Sequence, residues 1–487
     1  MTEIPSHPLD RWQYRVTPVE TEDAIAVGDF WLTVGDDLPV TTVTDRNGVA
    51  IGVIVGFAID IAAAKILAGT WAAPVSHDDP VDELVRNLLW AIGGRYIWIA
   101  TLGSQTRLYP DAGGQVTCVY DPEMRCAGAT ALSLMDDTTY DARFNKALFD
   151  QLGVNGEGWF PAGLTAHHGL SRVLPNHYLD LQDWSVNRFQ GAAHKHTDLG
   201  TDEIVDRMIA ITQSQIAALI DGDKVPAIAL TAGYETRVLL ACARPYLGKV
   251  KFVTVVGEDR HQIDSTIARQ IADDLSLDHM ALPRKNADTD QQELFLRRGG
   301  HCHGDSNVKF HPSVWPLARE HVFVGGLGGE IGRAFLWRDT DTANLDVSTE
   351  LLVTRFGLRR SDKAAAALDA WLTELKTEFG TNGLDILDLA YIENRMGPWA
   401  NVQFCADPTV VRYAPMFTYE TSALMRGLPA DWKRNGTLGI AMIQRLWPEL
   451  SQYPYNSLGP LRDIWVKIQR VMANPAMVAK KLRQLKR

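Results

Sequence analysis

No long uninterrupted apolar run occurs in this 487-residue chain. The nearest approach, Val49 to Leu67, is broken by Asp60 and Lys65 and carries Gly52 and Gly56 inside it. Placing such charges in a bilayer costs several kcal/mol, so a buried strand leading into a helix is expected there, and no membrane span. Cysteine is scarce: Cys118, Cys126, Cys242, Cys302 and Cys405 are scattered, odd in number and without CxxC spacing. A disulfide framework is therefore excluded, and a reducing cytoplasm is the expected compartment. Met1 to His7 show neither the basic nor the apolar region of a secretory signal. Positive charge is also short, with 48 Lys and Arg against 59 Asp and Glu, a net charge of −11. Nucleic acid is thus not expected as the main partner, because a phosphodiester backbone calls for a net basic face. Internal repeats and low-complexity stretches are missing.

What is present suits a folded protein of two or three domains, since 487 residues exceed one hydrophobic core. The first ~180 residues read as strands and turns. Pro39 to Val43 and Val49 to Val55 flank Asn47-Gly48, a hairpin turn signal. Gly94 to Ala100, Gln105 to Tyr109 and Val116 to Tyr120 continue the strand pattern, with Asp111-Ala-Gly-Gly114 as a turn. After Asp198 the texture changes. Thr201 to Ile220 has Ile204, Met208, Ile211, Ile216 and Leu219 on one broad stripe and Asp202-Glu203 in its first turn, which predicts a helix. Strands at Ile228–Leu230, Val250–Val256, Met280–Leu282 and His321–Gly325 then alternate with helical stretches such as Ile263 to Leu275. Such alternation implies an α/β region with a doubly wound parallel sheet, whose ligands sit beyond the strand C-termini. From about 345 onward the chain reads as mostly helical, ending in a basic stretch, Val478 to Arg487, taken as a solvated face.

The most informative segment is Leu230-Thr-Ala-Gly-Tyr-Glu-Thr-Arg237, where an apolar strand passes through small residues into a helix. A loop of this kind presents backbone N–H groups and the positive end of a helix to an anion. Gly233 admits a phosphate close to the backbone. Thr231 and Thr236 supply hydroxyl donors, and Glu235 a carboxylate for a hard cation. A plain strand-to-helix turn is the bland alternative for six residues alone. A second loop, Gly325-Gly-Leu-Gly-Gly-Glu330, follows another strand and again ends in an acid. Two such loops on one sheet carry more weight than either alone.

Thr231 to Thr236 resembles the pyrophosphate loop Ser-Gly-Gly-x-Asp-Ser of ATP pyrophosphatases, in particular the asparagine synthase family. Gly326-Leu-Gly-Gly-Glu330 resembles that family's second signature, and Asp264 to His279 its D-x-x-x-A-x-x-I-A pattern. The order of strand motifs before residue 180, closing in Arg172-Val-Leu-Pro-Asn-His-Tyr-Leu179, is similar to its N-terminal amidohydrolase domain. Asn394 to Ala400, Arg412 to Phe417 and Trp432 to Arg434 fall where such proteins close the substrate side. The resemblance implies an Ntn-hydrolase-like β-rich sandwich over 1–198 and an ATP pyrophosphatase domain over 199–487. It implies ATP at Leu230, Thr231, Ala232, Gly233, Glu235, Thr236, Arg237, Gly326, Gly328 and Gly329, with Val255 and Val256 beside the adenine. Glu235 and Glu330 are the implied Mg²⁺ ligands, and Lys433, Arg333 and Tyr234 the implied catalytic groups. A lysine beside Arg434, and either acid alone, equally reads as a surface group.

Several positions depart from the family. Ala232 stands for Gly and adds a Cβ, Glu235 replaces Asp, and Thr231 and Thr236 replace Ser. Leu327 occupies a place where many members carry a glutamate acid–base group; Tyr234, Glu393 and His303 are candidates to replace it. The N-terminal nucleophilic cysteine of glutamine-using members is missing, and Thr2 is a poor substitute, so no ordinary glutaminase is expected. His301-Cys-His303 with His311 does not have common zinc spacing. The reading is a cytoplasmic, AMP-forming amide ligase that adenylates a substrate carboxylate and passes it to an amine without glutamine. Its partners are small-molecule or peptide acids and amines, and a homodimer is compatible with the sequence. The runner-up is a catalytically silent relative that binds a nucleotide or a partner. Sulfur transfer ranks last, since only Cys242 and Cys302 lie near the site.

Overall fold

The Ala50–Asp60 and Ile92–Leu102 strands are buried along almost their whole length, so both of their faces must be covered. In the computed structural model, which describes residues 7–456 apart from 190, 192–193, 258–261 and 305, two different layers cover them. Val53, Val55, Ile97 and Ile99 meet Tyr14, Val16 and Leu32 of a second sheet. Ile54, Ala58, Tyr96 and Trp98 point the other way, into a core that also holds Ile204 and Ile216 of the Thr201–Ile220 helix. Among the described residues the strands form three sheets, and the protein is a mixed α/β structure. One sheet has six antiparallel strands. Another has eight and is mixed, because Val40–Thr44 pairs with Gly69–Ala72 in parallel.

The third sheet is parallel throughout. Its neighbours run His279–Pro283, Lys251–Val256, Val225–Ala229, His321–Val324, Val411–Tyr413, which is third, second, first, fourth and fifth in chain order. The direction of winding therefore reverses between Val225–Ala229 and His321–Val324, and in sheets of this kind the crevice for ligands lies beyond the C-terminal ends of the two strands at such a point. Ile228 and Phe252 share one face with Ile267 and Ile271 of the Gln262–Asp274 helix. Ala227, Val253 and Leu282 face Val314 and Leu317 of the short His311–Leu317 turn on the other. Covered on both sides, the strands read as continuous apolar runs.

The Asn47-Gly48 hairpin forms as expected, with Gly48 at φ +85° and Asp45 O accepting from Gly48 N at 3.0 Å. Other expectations are corrected. No helix follows Ala50–Asp60: the Asp60 side chain accepts from Ala63 N at 2.9 Å, and the short turn sends Lys65–Ile66 back to pair with Ile59 and Asp60. The helical region beyond 345 also contains the fifth parallel strand, Val411–Tyr413, which is too short for periodicity to reveal. An 11-residue helix, Val81–Ala91, lies within the strand-rich first part.

Polar side chains tie the early sheets to the later helices. Glu393, fully buried in a π-helical turn, accepts from Asn176 Nδ2 at 2.9 Å and Trp371 Nε1 at 2.7 Å and pairs with Arg188. Asn394 O accepts from Trp159 Nε1 at 2.6 Å. Among the described residues no helix is long and apolar enough to cross a membrane. Thr2 and the basic stretch Val478 to Arg487 lie outside the described residues.

Candidate functional site

The two glycine-bearing loops leave the two strands that border the crevice. Leu230 N donates to Val253 O at 2.8 Å, and Thr254 Oγ1 donates to Leu230 O at 2.7 Å, so the first loop starts from a fixed point. Gly233 N then donates to Thr231 Oγ1 at 3.0 Å, and the Thr231 and Thr236 hydroxyls lie 2.8 Å apart. Ala232 N donates to Asp264 Oδ1 at 3.0 Å, so one loop N–H is already held by a carboxylate of the next helix. The Ala232 side chain is fully buried in the core. Gly233 is the N-cap of the Tyr234–Cys242 helix and brings no capping side chain, which leaves the first-turn N–H groups available to an anion.

The second loop touches the first. A Cβ at Gly326 would lie 2.5 Å from Glu235 Cβ, and one at Gly329 would lie 2.6 Å from Glu235 Cγ. Glycine at these two positions is therefore what lets the loops close on each other. Gly328 sits at φ +93°, and its N donates to Glu330 Oε2 at 3.0 Å. Arg333 Nε donates to Glu235 Oε1 at 2.5 Å. Burial, and after it the neighbouring Glu235 charge, pushes the Glu330 carboxyl up to about 7. Two carboxylates, a guanidinium and a set of backbone donors thus share one end of the crevice. This is a donor set suited to Mg²⁺, which takes one or two carboxylates together with phosphate oxygens.

Val255 and Val256 end the neighbouring strand, half-buried, with Val256 O accepting from Arg284 N at 2.9 Å. Tyr234 stacks on Tyr455, ring centres 4.0 Å apart and planes 4° from parallel. Other expected residues are engaged elsewhere. Arg237 is fully buried and donates to Tyr453 O at 2.7 Å and Pro454 O at 3.0 Å, under the Tyr455 ring, so it anchors that segment. Asn456 N closes the segment onto the loop by donating to Ala232 O at 3.0 Å. Lys433 is buried, ion-paired with Asp388, with its ammonium 4.5 Å from the Trp337 ring centre. Its short helix, Ala430–Arg434, lies against the Gly329–Arg333 turn.

Leu327 is buried in the core. Of its candidate replacements, Glu393 is committed to Asn176, Trp371 and Arg188, and His303 Nδ1 lies 2.9 Å from Gly158 O. His301 Nδ1 lies 2.8 Å from the Tyr140 hydroxyl, and His311 stacks on Phe295. All five cysteines are buried, and burial pushes the Cys118 and Cys242 thiols up to about 12.

Sequence reading passed over Tyr391, which opens the π-helical turn and stacks obliquely on the exposed Phe335 ring at 4.7 Å. Burial, and then the Glu330 charge, pushes its hydroxyl well above the usual tyrosine range. Nothing local in the sequence marks it, because the approach to Glu330 comes from a helix more than fifty residues further on. Neither protein-family comparison nor comparison with characterised proteins finds a match to this chain.

Proposed function

We propose that the protein is an ATP-dependent, AMP-forming amide ligase of the asparagine synthase-like kind. The observation that carries this reading is the meeting of two glycine loops through Glu235 at the point where the parallel sheet reverses its winding. The N–H groups that open the Tyr234–Cys242 helix, with the hydroxyls of Thr231 and Thr236, would hold the β- and γ-phosphates. Val255 and Val256 would flank the base. Glu235 and Glu330 would hold Mg²⁺, which neutralises phosphate charge when bound.

A substrate carboxylate oxygen then bonds to the α-phosphorus while the bond to the β-phosphate oxygen breaks and pyrophosphate leaves. An amine nitrogen next bonds to the acyl carbon, the acyl–oxygen bond breaks, and AMP leaves. Activation is needed because a carboxylate is a poor electrophile and an acyl phosphate anhydride a good one. Arg333, exposed at the loop junction, would steady the charge that builds up. The buried cysteines support a nitrogen source other than glutamine hydrolysis. The two sheets facing each other through Val55, Ile97 and Tyr14 support an amidohydrolase-type sandwich retained without that chemistry.

The test is calorimetric titration with a non-hydrolysable ATP analogue and Mg²⁺, for the wild type and for Glu235→Ala and Glu330→Ala. Binding in the wild type that both variants lose supports the site. Wild-type binding unaffected by either variant would remove the nucleotide from these loops.

A further inference from the structure

Behind the Glu235–Arg333 pair lies a cavity of about 30 Å³. Met208, Met416, Met425 and Met442, four of the eleven methionines in the chain, converge on it with Val238 and Leu438. All six side chains are buried. Gly332 helps to keep it open, since a Cβ there would come within 3.1 Å of Leu438 Cδ2 and 3.3 Å of Met425 Sδ, whereas a Cβ at Gly439 would make only an ordinary contact, 3.5 Å from Val238 Cγ2. The partly buried Tyr234 and Glu235 and the exposed Arg333 also line it. Arg333 uses only Nε on Glu235, and its two Nη groups have no partner among the described residues. The site thus combines a deformable apolar interior with an unpaired two-donor edge of a guanidinium, the geometry that binds a carboxylate bidentately.

We infer that this cavity and the Nη edge of Arg333 select the acid substrate, a carboxylate bearing a short aliphatic tail. The inference rests on the ligase reading given above and adds the substrate class to it. The carboxylate sits on Arg333 at the loop junction, and the tail enters the methionine-lined space. Thioether side chains have three rotatable bonds and fit tails of slightly different length, while the small volume excludes long chains.

The test is calorimetric titration of the full-length protein with acetate, propanoate, butanoate and octanoate and with the matching alcohols. Each titration is run with and without a non-hydrolysable ATP analogue and Mg²⁺. The expected result is saturable acid binding that tightens about fourfold per added methylene up to butanoate. Octanoate should gain nothing further, and the alcohols should bind at least tenfold more weakly. Gly439→Leu, which fills the space, should erase the gain with chain length, and Arg333→Met should erase the preference for acids. Melting curves show whether each variant folds, and the wild-type titrations decide the matter regardless. Binding of the nucleotide analogue without any chain-length gain overturns this inference and leaves the ligase reading standing. Equal affinity for acids and alcohols overturns the part assigned to Arg333. Failure of both the acids and the nucleotide analogue to bind overturns the inference together with the reading beneath it.

Discussion

Arg333 donates its Nε to Glu235 Oε1 at 2.5 Å across 98 residues of sequence. The pair joins the two loops, since Glu235 lies in the first turn of the helix after the first and Arg333 closes the turn after the second. It also sets an opposite charge beside the Glu235 carboxylate, which lies close enough to Glu330 to help push that group up. Without the guanidinium, two acids would crowd one end of the crevice. The pair is partly exposed, at 38% for Arg333 and 16% for Glu235, so solvent screens much of its contribution to stability.

Arg333→Met should therefore cost less than about 1 kcal/mol in urea unfolding. Its effect on substrate should be far larger, with a tenfold or greater rise in the acid concentration needed for half-maximal pyrophosphate release. Arg333→Lys should recover little, because an ammonium cannot offer two parallel donors. Unfolding and pyrophosphate release measured on the same preparations separate the two effects.

Gly326→Ala and Gly329→Ala test the loop contact directly. Each new Cβ would start at 2.5 or 2.6 Å from Glu235, so the loops must part or Glu235 must turn away. Overpacking of this kind costs about 1–3 kcal/mol, and displacement of Glu235 should weaken Mg²⁺-dependent nucleotide binding at least tenfold. Gly325→Ala is the control, because its nearest neighbour would be a Phe323 ring carbon at 3.6 Å, an ordinary contact. A control that loses binding as strongly as the other two would remove the contact argument.

The parts of this fold legible in the sequence are those with a local cause. Asn47-Gly48 announces its hairpin, and the apolar stripe of Thr201–Ile220 announces its helix. The two glycine loops were visible because strand, small residues and acid follow each other directly. That Gly326 and Glu235 touch was not visible, as it depends on the strand order of the parallel sheet. Arg237 and Lys433 stand beside recognisable motifs, yet their partners are the Tyr453 and Pro454 carbonyls and Asp388, chosen by tertiary packing. The methionine cavity draws on residues from 208 to 442, with no spacing that a periodicity could reveal.

Lys433 and Asp388 form a pair with side chains 1% and 5% exposed. Burial lowers the lysine and raises the aspartate, and each is held charged by the other. Lys433→Met takes the ion-pair partner from a buried carboxylate, which keeps only the Arg426 charge nearby, and should cost about 3 kcal/mol. The double variant with Asp388→Leu should be markedly less destabilised than the sum of the single variants. A denaturation double-mutant cycle reads this coupling. If Lys433 instead served the nucleotide, Lys433→Met would lower nucleotide affinity with little loss of stability.

Acid sensitivity should come from two buried histidines. Burial holds His167 down at about 3, with the His301 charge adding to the effect, and holds His301 down at about 4. Both are depressed relative to an unfolded histidine near 6.5, so below about pH 6.5 the unfolded chain binds protons that the folded chain refuses. Stability is full above that pH and declines as the pH falls towards about 4 and then 3, where the folded protein also takes up its protons. The two rings lie 6.3 Å apart beside Tyr140, and the Tyr140 hydroxyl lies 2.8 Å from His301 Nδ1, which ties the Asp137–Arg143 helix to the loop after Arg298. His167→Phe, which cannot titrate and loses no hydrogen bond, should make the acid decline shallower between pH 6.5 and 4. His301→Phe should also flatten it, while lowering stability at pH 7 by about 1 kcal/mol through the lost Tyr140 bond. Urea midpoints taken at half-unit pH steps decide between this and a decline set by carboxylates elsewhere, which neither substitution would change.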